Sequence, residues 1–239
     1  MTTQGRFSVV RALVFDLDGT LIDSKLDLAL SVNAARAHMG LPPLEHETIY
    51  SFIGQGAPML IRQALGEGAT DANVERALDF FITHYREHLL DNTLTYPGVR
   101  EALEALRGWP MAVLTNKPVR PSERILAGLG IAGYFRRVYG GNSFATKKPD
   151  PEGMHALLGE FGVSPREAML VGDSEIDVLA ARNAGVWSCG VTYGLGSHLL
   201  GEYPPDVLLD NLAELPPLLG VSMAARHDLP LASRKESSS

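Results

Sequence analysis

The sequence is poor in the features that mark secreted and membrane-bound proteins. Its 239 residues include one cysteine, Cys189, so an intramolecular disulfide and a cysteine-rich zinc site are both excluded. No apolar run approaches the roughly 18 residues of a membrane helix. Residues 1–15 show no basic segment followed by an apolar stretch and a small-residue cleavage site. These absences predict a cytoplasmic protein with no membrane partner.

Positive charge is also scarce. Lys and Arg number 21 against 28 Asp and Glu, which gives a formal net charge of −7. Such an acidic chain is not attracted to nucleic acid or to anionic lipid, although a local basic pocket is compatible with it. We therefore predict no nucleic-acid partner, and a chain that is either a monomer or a homodimer.

Apolar residues, in contrast, are plentiful. Hydrophobic residues make up 45% of the chain and charged residues 21%, which is enough to bury a core and excludes a chain disordered throughout. A length of 239 residues corresponds to one large domain or to a domain that carries an insert.

Short apolar runs alternate with segments that repeat apolar residues at helical spacing. The runs lie at residues 9–15, 111–114, 168–171, 186–191 and 207–209, and the helical segments between them at residues 99–106, 151–161 and 176–184. Strands that alternate with helices are typical of a parallel sheet. We therefore predict an α/β core formed by residues 1–22 and 96–221.

Residues 23–95 break this alternation, because they contain no strand-like run. Their amphipathic helical segments lie at residues 26–39, 59–65 and 74–89. Turn-forming residues flank the stretch at 23–24 and 96–98, which suits two hinge strands. We predict an inserted helical cap at residues 23–95 and, because residues 222–239 have little to bury, a flexible tail at the end of the chain.

Two pairs of carboxylates follow predicted strands. Asp16 and Asp18 end the first apolar run, where side chains two apart share one face at the ligand-binding end of a parallel sheet. Asp173 ends a later run, and Asp177 lies one helical turn on. Taken alone, Asp16 and Asp18 fit a turn after a strand equally well. Asp173 could merely cap the following helix, with Asp177 on the exposed face of that helix. Together they favour a hard-oxygen site, which suits Mg²⁺ better than zinc.

Two further segments offer groups that can hold a phosphate. Thr115 and Asn116 follow the run at residues 111–114, where a hydroxyl and backbone amides can bind phosphoryl oxygens. In isolation, a capping turn is the more common explanation. Lys148 precedes Pro149, which restricts its backbone to an extended form. A lysine held there could neutralise a phosphate and a carboxylate together, and a solvated loop lysine is the equally weighted alternative.

In this order, the segments resemble the haloacid dehalogenase superfamily of aspartate-nucleophile phosphotransferases over residues 11–219. The residues that match its four motifs in turn are Asp16 and Asp18, Thr115 and Asn116, Lys148, and Asp173 with Asp177. The resemblance implies a Rossmann-like, doubly wound parallel sheet with an inserted α-helical cap. It also implies that Asp16 attacks phosphorus and becomes an aspartyl-phosphate, while Asp18 protonates the leaving alcohol and then activates water.

The same resemblance implies a cofactor and a phosphate clamp. The implied Mg²⁺ ligands are Asp16, the backbone carbonyl of Asp18, Asp173 and, through water, Asp177. The implied clamp consists of Lys148, Thr115 and backbone amides near Gly19 and Asn116.

The insert is similar to the small helical cap of this superfamily, which carries substrate selectivity. Residues 53–61 are similar to the cap loop of bacterial phosphoglycolate phosphatases, in which Gly54 and Gly56 would let the backbone approach a small ligand. An ordinary turn between helices is the alternative. Arg62 is a candidate partner for a substrate carboxylate, and its alternative is a solvated helix arginine.

The resemblance therefore implies an enzyme that hydrolyses a small phosphorylated metabolite, with 2-phosphoglycolate favoured. Another phosphate monoester, pyrophosphate or a mutase reaction are alternatives with the same core. A phospho-aspartate signalling module is a further alternative, but the insert and Asp18, which can discharge a phosphoenzyme, favour turnover. The G-x-G-x-x-G pattern at residues 128–133 ends a helical segment instead of opening one, which argues against a dinucleotide site.

Overall fold

A computed structural model describes residues 3–221, so the predicted tail at residues 222–239 lies outside the described residues. The strands in this part of the chain are β1 Ala12–Phe15, β2 Ile22–Asp23, β3 Leu94–Thr95, β4 Met111–Leu114, β5 Arg137–Tyr139, β6 Ala168–Gly172, β7 Trp187–Val191 and β8 Val207–Leu209. The helices are α1 Thr3–Arg6, α2 Lys25–His38, α3 His46–Tyr50, α4 Ala57–Leu65, α5 Asp71–Glu87, α6 Val99–Ala105, α7 Val119–Gly128, α8 Glu152–Phe161, α9 Glu175–Ala184 and α10 Leu215–Leu218. None of these helices has the length and apolar character needed to span a bilayer.

Six strands form one sheet in the order β5-β4-β1-β6-β7-β8, and every neighbouring pair is parallel. Strand β1 lies inside the sheet between β4 and β6, and all of its residues are buried. This explains its unbroken apolar run, since parallel strands are covered on both faces. The predicted α/β fold is confirmed. Strand β5 was missed, because its three residues include an arginine and lie partly exposed at the sheet edge.

Helices cover both faces of the sheet. Alternate side chains of β1 point to opposite sides: Ala12 and Val14 pack with residues of α8 and α9, whereas Leu13 and Phe15 pack with residues of α6, α7 and the insert. This two-sided arrangement is the doubly wound architecture that the family resemblance implied. Helix α7 ends at Gly128, so the glycine pattern at residues 128–133 follows a helix and not a strand.

The helices of the insert, α2 to α5, lie between β2 and β3, two short strands that pair antiparallel. The buried carboxylate of Asp27 accepts hydrogen bonds from the backbone and side chain of both Asn92 and Thr93, at 2.7 to 3.0 Å. These bonds fasten the start of α2 to the segment that enters β3. The chain therefore leaves the sheet domain and returns to it at one place. This place is close to Asp18, which forms an isolated β-bridge with Ile22.

Candidate active site

The predicted site residues converge at one edge of the sheet. Asp16 follows β1, Thr115 follows β4 and Asp173 follows β6. Because β1 pairs in parallel with both β4 and β6, the carboxyl ends of the three strands open at the same edge. Lys148, from the loop before α8, and Asp177, from the first turn of α9, complete the group.

A buried lysine joins two of the carboxylates. Lys148 Nζ lies 2.8 Å from Asp16 Oδ1 and 2.6 Å from Asp177 Oδ1, and the lysine side chain is 2% exposed. Burial alone would lower the pKa of Lys148, but the two carboxylates outweigh burial, and its pKa is raised above the ordinary value. Burial raises the pKa of Asp16 to about 6, with Lys148 opposing the rise and Asp177 adding to it. Lys148 is thus kept in its charged form by the two carboxylates, and its charge in turn stabilises the ionised form of Asp16, which burial disfavours.

The acidic cluster fits a divalent cation. Asp16, Asp173 and Asp177 each offer an oxygen, and these three atoms lie within 4.8 Å of one another. Burial, followed by repulsion from Asp177 and Asp16, raises the pKa of Asp173 to about 8. One lysine cannot balance three converging carboxylates, and an all-oxygen donor set suits Mg²⁺ better than zinc. The Asp18 carboxylate does not belong to this cluster.

Small residues and hydroxyls fix the position of Asp173. Its carboxylate accepts hydrogen bonds from Thr20 Oγ1 and from the Gly196 amide, both at 2.9 Å. Gly19 has φ +90°, and a Cβ at this residue would come within 2.3 Å of an Asp173 oxygen. The Gly19 amide donates to the Ile22 carbonyl at 2.9 Å. Gly19 therefore makes room for Asp173, and its own amide is engaged within the turn, so the predicted phosphate contact near Gly19 would fall to neighbouring backbone amides.

Asp177 and Ser174 form a capping box at the start of α9. The Asp177 carboxylate accepts from the Ser174 amide at 3.1 Å and from the Ser174 hydroxyl at 2.7 Å. Asp177 is therefore both part of the helix cap and the partner of Lys148. It is buried, so the alternative of a position on the exposed face of the helix is wrong. A Cβ at Gly172 would lie 2.2 Å from the Asp177 side chain, so the end of β6 also has to be glycine for this carboxylate to fit.

Asp18 turns toward the insert. Lys117 Nζ donates to its two carboxylate oxygens at 2.9 and 3.2 Å and to the Tyr85 hydroxyl at 2.7 Å. The Ser24 hydroxyl also donates to Asp18. Burial raises the pKa of Tyr85 to about 12, with Lys117 opposing the rise. Lys117 thus connects an acid of the sheet to helix α5 of the insert.

Sequence reasoning missed Lys117 and Tyr85. The available signal for Lys117 was its place directly after Thr115 and Asn116, where it extends the polar end of β4 by one residue. Tyr85 gave no signal, because it reads as one more apolar position on the buried face of α5. Its hydroxyl meets Lys117 only through the tertiary packing of insert on sheet.

Asn116 joins the insert to the lysine loop. Its side-chain amide donates to the Lys148 carbonyl at 3.0 Å and to the Gly54 carbonyl at 3.2 Å. Gly56 has φ +90°, and a Cβ there would come within 3.3 Å of the Asn116 carbonyl. Lys147 Nζ donates to Gln55 O at 3.0 Å. Residues 54–56 therefore lie directly on the loops that follow β4 and precede α8.

Two cavities open on Asp16. The larger, of about 400 Å³, lies between insert and sheet and is lined by Asp16, Asp18, Gly54, Gly56, Thr115 and Asn116 among others. The smaller, of about 130 Å³, is lined by Asp16, Asp18, Gly54 and Asp173 among others. The cap loop at Gly54 borders both, so Asp16 faces an acidic side and a side enclosed by the insert.

Arg62 is not brought to either cavity. Its guanidinium pairs with Asp71 at 2.7 Å and donates to the Ala69 carbonyl at 3.1 Å. These contacts hold the end of α4 to the start of α5 on the surface of the insert. Arg62 therefore does not line either cavity, because it contacts Asp71 and Ala69 within the insert. It is not placed where it could bind a substrate carboxylate.

Comparison with known proteins identifies one family. The family model described as haloacid dehalogenase-like hydrolase matches residues 13–191. This range begins at the second residue of β1, contains the whole insert and ends at the last residue of β7, so it includes every site residue that the sequence predicted.

Curated relatives and solved structures resemble the chain over most of its length. The phosphoglycolate phosphatase of Haemophilus influenzae is 41% identical, over 84% of this chain and 94% of the relative. That of Pseudomonas putida is also 41% identical, over 95% of this chain and 87% of the relative. The crystal structure of a predicted phosphoglycolate phosphatase from Haemophilus somnus is 34% identical, covers 88% of this chain and 98% of its own, and superposes with a TM-score of 0.84.

Proposed function

The chain belongs to the haloacid dehalogenase-like hydrolases, and from this premise we propose that it is a Mg²⁺-dependent phosphatase that hydrolyses 2-phosphoglycolate to glycolate and phosphate. The observation that carries the proposal is the position of Asp16, which is paired with Lys148 and lies between the acidic cluster and the large cavity. The names and the 41% identity of the curated relatives support the substrate.

In the first step, an Asp16 oxygen attacks the phosphorus of the ester. The bond from phosphorus to the glycolate oxygen breaks, and Asp18 gives its proton to that oxygen, so glycolate leaves as the alcohol. Lys148 lies beside the nucleophile and balances charge on the phosphoryl oxygens. Lys117 occupies both oxygens of Asp18, so this contact has to open before Asp18 can donate.

In the second step, water attacks the phosphorus of the aspartyl-phosphate. Asp18, now a carboxylate, takes a proton from the water, and the bond between Asp16 and phosphorus breaks. Inorganic phosphate leaves, and Asp16 and Asp18 return to their starting protonation states. The geometry suits this exchange because Asp16 and Asp18 line the same two cavities.

Mg²⁺ would be held by the Asp16 and Asp173 carboxylates and the Asp18 carbonyl, with Asp177 outside the direct ligands. Asp177 fits this outer position because Lys148 and Ser174 already occupy its oxygens. When bound, the cation neutralises charge on the transferring phosphoryl group. The buried Cys189 agrees with a reducing, cytoplasmic setting, and a monomer or a homodimer would serve the reaction equally.

The proposal is tested by phosphate release from a panel of esters. The panel contains 2-phosphoglycolate, sugar phosphates and pyrophosphate, each assayed with Mg²⁺ and with EDTA. We expect the highest kcat/KM for 2-phosphoglycolate and no release with EDTA. A Mg²⁺-dependent preference for another ester would contradict the substrate and leave the mechanism standing. Release that persists in EDTA would contradict the proposed cofactor.

A further inference from the structure

The larger cavity is lined by cationic side chains that have no role in the two reaction steps described above. Its lining includes four cationic side chains, Arg86, Lys117, Arg120 and Arg124, against two carboxylates, Asp16 and Asp18. The chain as a whole has a net charge of −7. Cations have therefore been gathered at this one cleft of an acidic protein, and a cleft lined by one sign of charge attracts ligands of the opposite sign.

The three arginines have no partner within residues 3–221. Several other arginines in this range pair with carboxylates, as Arg137 does with Glu160 at 2.8 Å and Arg107 with Glu104 at 2.7 Å. Arg86, Arg120 and Arg124 make neither an ion pair nor a side-chain hydrogen bond with any described residue. Lys117, in contrast, is held by Asp18 and Tyr85. The arginines are thus the cations of the cavity that remain available to a ligand.

The arginines come from both sides of the cleft. Arg120 and Arg124 are four residues apart on α7 and share one face of that helix. Arg86 lies in the last turn of α5, next to Tyr85. Between them the cavity is lined by apolar side chains, including Phe81 and Pro121. A ligand that touches all three arginines would bridge the sheet domain and the insert.

The leaving group belongs on this side of Asp16. Asp18, which gives a proton to the leaving oxygen, lines both cavities, whereas Asp173 lines only the small one. The large cavity is therefore the side on which Asp18 is present without Asp173 of the acidic cluster. A phosphoryl group between Asp16 and the acidic cluster would therefore direct its ester oxygen toward Asp18 and the rest of the substrate toward α7 and α5. That is where the unpaired arginines are found.

We propose that Arg86, Arg120 and Arg124 form an anion subsite that binds a carboxylate of the leaving group, and that it selects phosphate esters of hydroxy acids over neutral esters. This inference rests on the proposed phosphatase function. The planar guanidinium suits a carboxylate, which it can bind through two parallel hydrogen bonds. A cavity of about 400 Å³ is in the size range that holds ligands larger than a two-carbon acid, so longer hydroxy acid phosphates should be accepted too.

The test compares a charged and a neutral ester of equal carbon number. The value of kcat/KM is measured for 2-phosphoglycolate and ethyl phosphate in the wild type and in Arg86→Gln, Arg120→Gln and Arg124→Gln. Loss of one charge-assisted hydrogen bond predicts about a tenfold fall for 2-phosphoglycolate, with ethyl phosphate unchanged. Arg76→Gln is the matched control, because Arg76 is on α5 but does not line the cavity, and it should change neither value.

Two outcomes overturn the subsite: an equal fall for both esters, and no fall for either. If another ester proves to be the best substrate, kcat/KM is compared for the form of that ester whose leaving group carries a carboxylate and the form that lacks it. Failure of the 2-phosphoglycolate proposal is then distinguished from failure of the subsite. Glycolate binding followed by calorimetry keeps the test independent of turnover. We expect binding to the wild type and none to the triple arginine variant, and equal binding to both would overturn the inference.

Discussion

The acidic side of the site and the cavity side treat charge in opposite ways. Lys148 is buried between Asp16 and Asp177, and Asp173 is fixed by Thr20 and Gly196. The arginines of the cavity are exposed and unpaired within the described part of the chain. The groups that act on the phosphoryl group are therefore positioned before substrate binds, which is the arrangement that favours catalysis. The arginines proposed to select the leaving group, in contrast, would gain a partner only when substrate binds.

The acidic side should give the largest effect, through its nucleophile. Asp16→Asn removes the attacking oxygen while keeping the size of the side chain, and we expect kcat to fall by at least about a thousandfold. Phosphate release under saturating substrate measures this. Asp79→Asn, an exposed change on α5, is the control and should retain full activity. An Asp16→Asn enzyme that keeps a tenth of wild-type activity would contradict the assigned nucleophile.

Paired charges also predict a large effect on stability. Lys148→Ala leaves Asp16 and Asp177 buried without their cation, which should lower the free energy of unfolding by about 3 kcal/mol near pH 8. The loss should shrink toward about pH 5, because the native variant then binds more protons than the unfolded chain, and its stability falls as the pH rises. Urea unfolding in EDTA at the two pH values measures this.

The control for that experiment is the neighbouring lysine. Lys147 is exposed and donates to a backbone carbonyl of the cap loop, so Lys147→Ala should cost less than about 1 kcal/mol at either pH. If Lys148→Ala were no more destabilising than Lys147→Ala, the buried lysine would not be the partner that keeps the acidic side together.

Metal binding should release a proton. With a pKa of about 8, Asp173 is mostly protonated at neutral pH in the metal-free protein, and it has to lose that proton to bind Mg²⁺. We expect release of nearly one proton per ion at pH 7, declining as the pH rises through about 8, with affinity weakening as the pH falls. Titration in weak buffer measures the release. Asp173→Asn should release none, and the same release well above pH 9 as at pH 7 would contradict the assignment.

The smallest effect on activity is expected from the hydrogen bond between Lys117, which pairs with Asp18, and Tyr85 of the insert. Tyr85→Phe removes the hydroxyl that accepts from Lys117 but keeps the ring, and Lys117 retains both oxygens of Asp18. Loss of one bond of this kind should lower kcat/KM by about fivefold to tenfold. The control is Tyr134→Phe in the sheet domain, which also removes a hydrogen-bonded tyrosine hydroxyl but lies outside the site and should leave kcat/KM unchanged. An effect as large as that of Asp16→Asn would place Tyr85 in the chemistry itself.

The sheet and the acidic side were largely predictable from sequence, and the reason is physical. Strands buried on both faces give unbroken apolar runs, as β1 and β4 do, and polar residues at their carboxyl ends must meet at one edge. Strand β5 escaped because an edge strand need not be apolar. Gly19 was predicted to lie near the site, but sequence does not reveal that its amide donates to Ile22 or that its missing side chain makes room for Asp173.

The cavity side was less predictable, because its residues meet only through packing of the insert. Arg62 was chosen for its closeness in sequence to the cap loop, yet it pairs with Asp71. Arg120 and Arg124 lie on a helix of the sheet domain, where two arginines four apart are typical of a solvated face. Their exposure to a cavity depends on where α5 lies, and no local pattern encodes that.

The division between the two sides is tested most directly by the lifetime of the phosphoenzyme. Labelled aspartyl-phosphate is formed from 2-phosphoglycolate and, separately, from ethyl phosphate, and its formation and hydrolysis are followed by rapid quench. We predict formation that is much faster from the charged ester, because the arginines act on the leaving group, and hydrolysis at one rate whichever ester was used. Equal rates of formation, or hydrolysis that depends on the ester, would contradict the account.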